Sequence, residues 1–377
     1  MQNQPQKHTS KKRSDPEVLL CLWLALLAIF EVILVTVLLV RAYPKQDTVE
    51  LPKEEETVTD PLPDAPKPSL PVFSGGVLPT PPTATSATVT LGGEIDSQYA
   101  ILINAETGEI VAQKGADVAF SPASMTKVMT LIVACENLSQ SDLSRRLAMT
   151  QEIATYVTSG EYKGTECALP RELNGISCIG DEYRIDALLY GIGVMSAADC
   201  TYMIAKEIGG SEEGFVAMMN AKAQELGLSD KTHFDNAVGF DSEGNQTTAR
   251  DMAMIMAYAM QSDLIADILM PRDDRYGIKA YYKDDFGVEK SYDVWLTCSF
   301  ESRMKKYPSF SLSTVKLNAT KTGYTEESFI VCSATGKTSA DQYILVLGNQ
   351  ETAHTTITQK FAATMKDIEY LYNTHAK

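Results

Sequence analysis

The sequence predicts an α/β (α+β) domain: an antiparallel sheet drawn from the N- and C-terminal segments of the folded region, flanked by helices, with an all-helical subdomain inserted. Three observations carry this. Strand texture is confined to residues 99–113 near one end and to residues 311–316, 328–334 and 342–347 near the other. Between them, residues 141–228 show apolar positions at helical spacing. A lone hairpin is not a stable sheet, so the first hairpin must recruit the three late strands.

In chain order, residues 1–17 form a basic tail, with Lys7, Lys11, Lys12 and Arg13 preceding the first acid, Asp15. Residues 18–40 are almost unbroken Leu, Val, Ala and Ile, the length a helix needs to cross a bilayer. The basic flank puts that end in the cytoplasm and everything after Arg41 outside, so the expectation is a single-pass cell-membrane protein with an extracytoplasmic folded domain. A cleaved signal peptide is the rival reading; it wants a shorter apolar core and a small-x-small site, which the stretch after Leu39 does not offer. Glu31 lies mid-span, where a charge is costly. Residues 41–92 hold ten of the sixteen prolines, mixed with acids, Thr, Ser and Gly, and read as a disordered tether.

From residue 93 to residue 377 the texture is globular. YAILIN at 99–104 and EIVAQ at 109–113 form a hairpin around an Ala-Glu-Thr-Gly turn. A helix starts near Ser124. Helices are expected over residues 184–195 and 197–208, meeting near Ser196, and over 215–226. The last segment, residues 354–372, places Ile357, Phe361, Met365, Ile368 and Tyr372 on one stripe of a closing helix.

Composition narrows the chemistry. A net charge of −16 without a basic stripe beyond the first residues argues against nucleic acid as a partner. There are four histidines, and His8 and His375 lie at the ends, leaving His233 and His354 for the folded region. No His-Glu-x-x-His and no Gly-x-Ser-x-Gly occurs, so neither zinc nor the usual serine elbow is indicated, and no metal or cofactor is called for. A hydrolase built from these residues turns to lysine for its base. Cys167 and Cys178 flank a short loop and suit either a disulfide or two free thiols; Cys135, Cys200 and Cys332 sit in apolar stretches and read as packing residues.

Residues 121–130, SPASMTKVMT, carry the chemistry. Pro122 pre-sets a helical φ, and positions three apart share a helix face, so the Lys127 amine can reach the Ser124 hydroxyl. Ser-x-x-Lys also occurs at Ser302 to Lys305 and at Ser313 to Lys316, so the pattern alone is weak. The first match is set apart because it opens an apolar-periodic helix. Two later segments add to it: Ser196-Ala197-Ala198-Asp199 at a helix junction, and Lys321-Thr322-Gly323-Tyr324-Thr325, a Lys-Thr-Gly that occurs once and is expected to follow one strand and precede another.

Ser-x-x-Lys, a serine motif, then Lys-Thr-Gly is the order of penicillin-binding proteins and class A β-lactamases. The region from about residue 95 onward resembles the D-alanyl-D-alanine carboxypeptidase family of low-molecular-mass penicillin-binding proteins. YAILINAETGE at 99–109, FVAMMNAKAQELG at 215–227, and FDNAVGF at 234–240 followed by TARDM at 248–252 share in the resemblance. It implies a penicillin-binding-protein/β-lactamase-like fold and a penicillin-sensitive hydrolase acting on peptidoglycan stem peptides that end in D-Ala-D-Ala.

Residue by residue, the resemblance implies that Ser124 is the nucleophile, Lys127 its base, and Ser196 the relay to the leaving amine. Lys321 and Thr322 would hold the substrate carboxylate, Gly323 would admit it to the strand edge, and the N–H groups of Ser124 and Tyr324 would form the oxyanion hole. The chain departs from the pattern at Ala198, where the family usually has Asn, and at Ala319, where Gly is common. Ala198 keeps open a catalytically weak relative that binds stem peptides. A D,D-endopeptidase uses the same machinery. A β-lactamase is disfavoured because no Glu-x-x-Leu-Asn follows the second motif.

Overall fold

The computed structural model describes residues 70–159, 165–272, 275–310, 312–325, 329–335, 342–350 and 356–376. The chain divides into units at 1–61 and 62–377, and all the described residues belong to the second. The basic tail, the apolar span at 18–40 and the first part of the expected tether, to residue 69, lie outside the described residues. Among the described residues no single helix is long and apolar enough to cross a membrane.

Three strands come first: β1 (Thr83–Thr90), β2 (Ser97–Asn104) and β3 (Glu109–Lys114). Helix α1 (Thr126–Glu136) follows, then β4 (Arg146–Ala148), α2 (Gln151–Tyr156), a small hairpin of β5 (Glu172–Leu173) and β6 (Ile176–Ser177), and β7 (Glu182–Arg184). Five helices dominate the next stretch: α3 (Ile185–Val194), α4 (Ala198–Gly209), α5 (Glu212–Glu225), α6 (Ala249–Ala259) and α7 (Asp263–Leu269). A long hairpin of β8 (Tyr276–Lys283) and β9 (Glu289–Leu296) leads to α8 (Ser299–Lys306). The chain closes with β10 (Ala319–Tyr324), β11 (Phe329–Thr335), β12 (Tyr343–Gln350) and α9 (Ile357–His375).

The main sheet runs β1-β3-β2-β12-β11-β10, joining the two ends of the region as expected. Residues 100–103 of β2 are buried on both faces, because α6 covers one side of the sheet and α9 the other. That double cover is why the strand reads as a continuous apolar run rather than an alternation. Helix α9 is fixed at its start by a reciprocal cap between Thr356 and Gln359. Strand β10 is last in the order, so the strand carrying Lys-Thr-Gly lies at a sheet edge.

Four expectations need correction. The tether does not extend to residue 92: β1 pairs with β3, in parallel, and Phe73 and Leu91 are buried. The side chains of β1 are nearly all exposed, so its backbone ladder holds it, and composition carries no trace of that. The inserted region is not all-helical, because β4, β7, β8 and β9 form a second antiparallel sheet. β4 and β7 are too short to show a two-residue period. The described part of 311–316 is not a strand: the backbone N–H groups of Ser313 and Thr314 donate to the Glu369 carboxylate on α9, which bends the chain before β10 begins. Finally, Lys321-Thr322-Gly323 lies within β10 rather than after a strand. Cys167 and Cys178 are free thiols, and Cys135, Cys200 and Cys332 are fully buried, as packing residues should be.

Candidate active site

Ser124 lies in a single 3-10 turn, residues Ala123–Met125, that feeds directly into α1. The turn is strained: Ala123 has φ +43°, a left-handed value for a residue with a Cβ. Its carbonyl packs so tightly against the loop at Gly239 that a Cβ there would come within 1.9 Å of the Ala123 oxygen. Gly239 itself has φ +74°, so glycine is required on both counts. Asn236 folds this loop, accepting at 2.7 and 2.8 Å from the N–H groups of Gly239 and Phe240.

The loop delivers the carbonyl of Val238 to the Lys127 amine at 2.5 Å, while the same amine lies 3.1 Å from Ser124 Oγ. A neutral amine that donates to Val238 can aim its lone pair at the Ser124 hydroxyl. The electrostatics favour that state. Burial first, and the neighbouring Lys321 charge second, bring Lys127 down to about 7, with Glu166 and Asp199 opposing.

The second pair comes from elsewhere. Ser196, at the junction of α3 and α4, is also left-handed, with φ +63°. The Lys321 amine donates to Ser196 Oγ at 2.9 Å and to the Thr322 carbonyl at 2.9 Å. Burial lowers Lys321 to about 8. Residues separated by up to 200 positions thus meet in one cleft of about 450 Å³, lined by Ser124, Lys127 and Ser196 together with Thr322, Gly323 and Tyr324. Gly323 approaches the nucleophile's turn closely, since a Cβ on it would lie 3.0 Å from the Pro122 carbonyl and 2.7 Å from Ile330. Lys321 is the exception among the expected site residues: it stands behind Ser196 and is not part of the cleft lining.

Ala198 has a structural explanation. It packs with Val157 and Val238 in a small apolar cluster, and its backbone N–H donates to the Glu166 carbonyl at 2.7 Å. Asp199, fully buried, accepts from the N–H groups of Ala168 and Leu169 at 3.1 and 2.8 Å. The first turn of α4 therefore clamps the loop at 166–169 over the site, and this loop brings the Glu166 side chain to the cleft. The other two Ser-x-x-Lys matches do not line this cleft: Ser302 and Lys305 lie on α8, and Ser313 donates to Glu369.

Sequence reasoning missed Val238, Glu166, and the α8 residues Ser299 and Arg303, which also line the cleft. FDNAVGF was noted for its resemblance, but a backbone carbonyl leaves no mark in side-chain chemistry. Glu166 and Arg303 come from segments with no motif of their own.

The fold is of the DD-peptidase class. The Streptomyces K15 DD-transpeptidase structure superposes with a TM-score of 0.57 at 23% identity, covering 74% of this chain and 98% of that one. The particular family follows from the sequence match: the D-alanyl-D-alanine carboxypeptidase profile matches residues 83–352, and the chain belongs to that family. It is 29% identical over 242 residues to D-alanyl-D-alanine carboxypeptidase DacF of Bacillus subtilis, covering 64% of this chain and 54% of that one. It is 31% identical over 163 residues to DacA of Escherichia coli, covering 43% of this chain and 38% of that one. The chain thus spans about half or less of the length of these curated relatives.

Proposed function

We propose that the protein is a penicillin-sensitive serine D-alanyl-D-alanine carboxypeptidase that trims the terminal D-alanine from peptidoglycan stem peptides. The observation that carries this is the Lys127 amine held 3.1 Å from Ser124 Oγ, in a cleft shared with Ser196 and Thr322. Lys127 takes the Ser124 proton as Oγ attacks the carbonyl between the two D-alanines. The negative oxygen that forms is met by the N–H groups of Ser124 and Tyr324, where one lost donor costs ~3 kcal/mol of barrier. Ser196, made a better proton donor by the Lys321 cation behind it, passes a proton to the leaving amine and takes up the one that Lys127 holds, which returns Lys127 to its neutral state. The C–N bond breaks, D-alanine departs, and water attacks the acyl-enzyme; its proton goes through Lys127 as Ser124 Oγ is released.

The apolar span at 18–40, with its basic flank, supports a membrane anchor that holds the domain on the extracytoplasmic side. Carbonate washing should leave the chain in the membrane pellet with its N-terminus intact. A chain that washes off, or begins after residue 40, rules the anchor out.

The catalytic reading is tested by incubating the full chain in detergent with labelled penicillin and, separately, with a peptide ending in D-Ala-D-Ala, beside Ser124→Ala. Labelling and D-alanine release by the parent, both abolished in the variant, are expected. Labelling without release would favour the stem-peptide binder, and equal labelling of the two proteins would defeat the site assignment.

A further inference from the structure

We propose that Glu166 is the base of the second half-reaction: its carboxylate holds the water that attacks the acyl-enzyme and takes that water's proton. The assignment rests on the carboxypeptidase reading and deepens it by naming the group that frees the acyl chain as an acid.

The two lysine–serine pairs are poorly placed for that step. The Lys127 amine is bound to the Val238 carbonyl and lies 3.1 Å from Ser124 Oγ. Once Oγ is acylated it becomes the leaving oxygen, so Lys127 faces the atom that must gain a proton rather than the water that must lose one. Ser196 Oγ accepts from the Lys321 amine at 2.9 Å, which makes it a proton donor rather than a base. The other polar side chains lining the cleft, among the described residues, are hydroxyls, the Arg303 guanidinium and two exposed acids, Glu166 and Asp241.

Of the two acids, Glu166 is the nearer to the chemistry. Burial, joined at Lys127 by the Lys321 charge, lowers both amines; Glu166 is the strongest opposing charge at each, whereas Asp241 is among the leading influences on neither. Coulomb forces weaken with distance, so Glu166 lies closer to both pairs. It also lines the adjoining groove with Ser299 and Arg303, residues that line the cleft together with Thr322. A terminal D-alanine held at Thr322 vacates that side when it departs, and water enters the space it leaves.

The loop that carries Glu166 is fixed. Its carbonyl accepts from the Ala198 N–H at 2.7 Å, and the N–H groups of Ala168 and Leu169 donate to the buried Asp199 carboxylate at 3.1 and 2.8 Å. All three bonds end in the first turn of α4, which begins two residues after Ser196. One element therefore positions both the loop and the second serine.

As the water oxygen bonds to the acyl carbon, one of its protons passes to the Glu166 carboxylate. Lys127 receives that proton and gives it to Ser124 Oγ as the bond between the acyl carbon and the serine oxygen breaks. Carboxylate, amine and hydroxyl are then restored, and the peptide leaves with the water oxygen in its new carboxyl group.

The test follows D-alanine release by the full chain in detergent, from a peptide ending in D-Ala-D-Ala, through the first turnover and into steady state. D-alanine leaves before the water acts, so Glu166→Gln should release one equivalent in a burst and then turn over roughly 10- to 100-fold more slowly than the parent. kcat and KM should fall together, leaving kcat/KM and the rate of penicillin labelling within about threefold of the parent. Hydroxylamine, whose neutral nitrogen attacks an ester without help from a base, should restore turnover by forming the hydroxamate. Glu172→Gln changes an exposed acid on β5 outside the cleft lining, and should match the parent throughout.

A Glu166→Gln enzyme that turns over as fast as the parent overturns the assignment while the carboxypeptidase reading survives. So does one that slows without a burst, without rescue by hydroxylamine, or with an equal loss of penicillin labelling. A parent that releases no D-alanine overturns both.

Discussion

Lys127 and Lys321 are the same residue type, equally buried, each within 3.1 Å of a serine hydroxyl, yet they differ in their second partners and in their access to the cleft. Lys127 opens on the cleft, and its second partner, the Val238 carbonyl, comes from a loop far along the chain. Lys321 sits behind Ser196, and its second partner is the carbonyl of the next residue on its own strand. In the proposed mechanism one amine shows a lone pair to Ser124, and the other backs Ser196 with charge. The difference teaches that a lysine's role here is set by which side of the serine it occupies.

The comparison breaks first at Lys127. Lys127→Met should lower the rate of penicillin acylation by roughly 10³- to 10⁴-fold, since the nucleophile loses its base. The same change should stabilise the protein in mild acid. The folded-state value, about 7, is below the ordinary 10.5, so the unfolded chain binds a proton that the folded chain refuses. Stability from this group therefore rises with pH between about 7 and 10.5, and the full penalty, up to about 5 kcal/mol, applies below 7. Melting curves at pH 6 should show the Met variant above the parent, with the gap closing towards pH 10. A variant that melts lower at pH 6 and still acylates would make Lys127 an ordinary packing residue.

Lys321→Met should cost less, roughly 10²- to 10³-fold in acylation, because the nucleophile keeps its base. The parent's rate should climb with pH through about 7 as Lys127 loses its proton, and fall through about 8 as Lys321 does. Those two limbs belong to a coupled pair. In the variant the alkaline limb should vanish. The acid limb should move to higher pH, because the Lys321 charge helps to hold Lys127 down. An acid limb that stays in place would uncouple the two amines.

A third test reaches Lys127 through the loop that serves it. At Gly239→Ala the new Cβ meets the Ala123 carbonyl at 1.9 Å, on a backbone with φ +74°. We expect a loss of about 2–4 kcal/mol together with slowed acylation. Gly227→Ala, at φ +67° with nothing within 4 Å, isolates the cost of conformation alone, about 1 kcal/mol, and should leave acylation unchanged. Equal losses in the two variants would mean that the contact with Ala123 contributes nothing.

The same contrast marks what could be read from the sequence. Ser124 and Lys127 are three apart, so helix geometry brings them together without knowledge of the fold. Ser196 and Lys321 could be paired only through resemblance, since no local rule joins residues 125 positions apart. The sheet built from both ends was legible through the apolar runs of β2, β11 and β12, whereas β10, buried but carrying Thr320, Lys321 and Thr322, shows no apolar run, and β1, with an exposed face, left only proline-rich texture. The second sheet was half legible: β8 and β9 carry seven aromatic and β-branched residues, including Tyr276, Ile278, Tyr292 and Val294, but β4 and β7, three residues each, show no period that would join them to it. Val238 and Arg303 were illegible for different reasons, one acting through a backbone atom and the other from a short helix that carries no motif.

Ala198→Asn should have the smallest effect on the chemistry, and it tests whether this departure from the family pattern impairs the Lys127 side of the site. The methyl group of Ala198 is fully buried against Val157 and Val238, on the element that also fixes the Lys127 carbonyl partner. An amide placed there must either stay among apolar groups, at a cost of about 1–3 kcal/mol, or displace Val238. Neither route delivers a new hydrogen bond to the substrate. Melting temperature should therefore fall while the acylation rate stays within about threefold of the parent. A tenfold gain in D-alanine release would mean that the amide reaches the cleft, and that Ala198 marks a weakened enzyme rather than a repacked one.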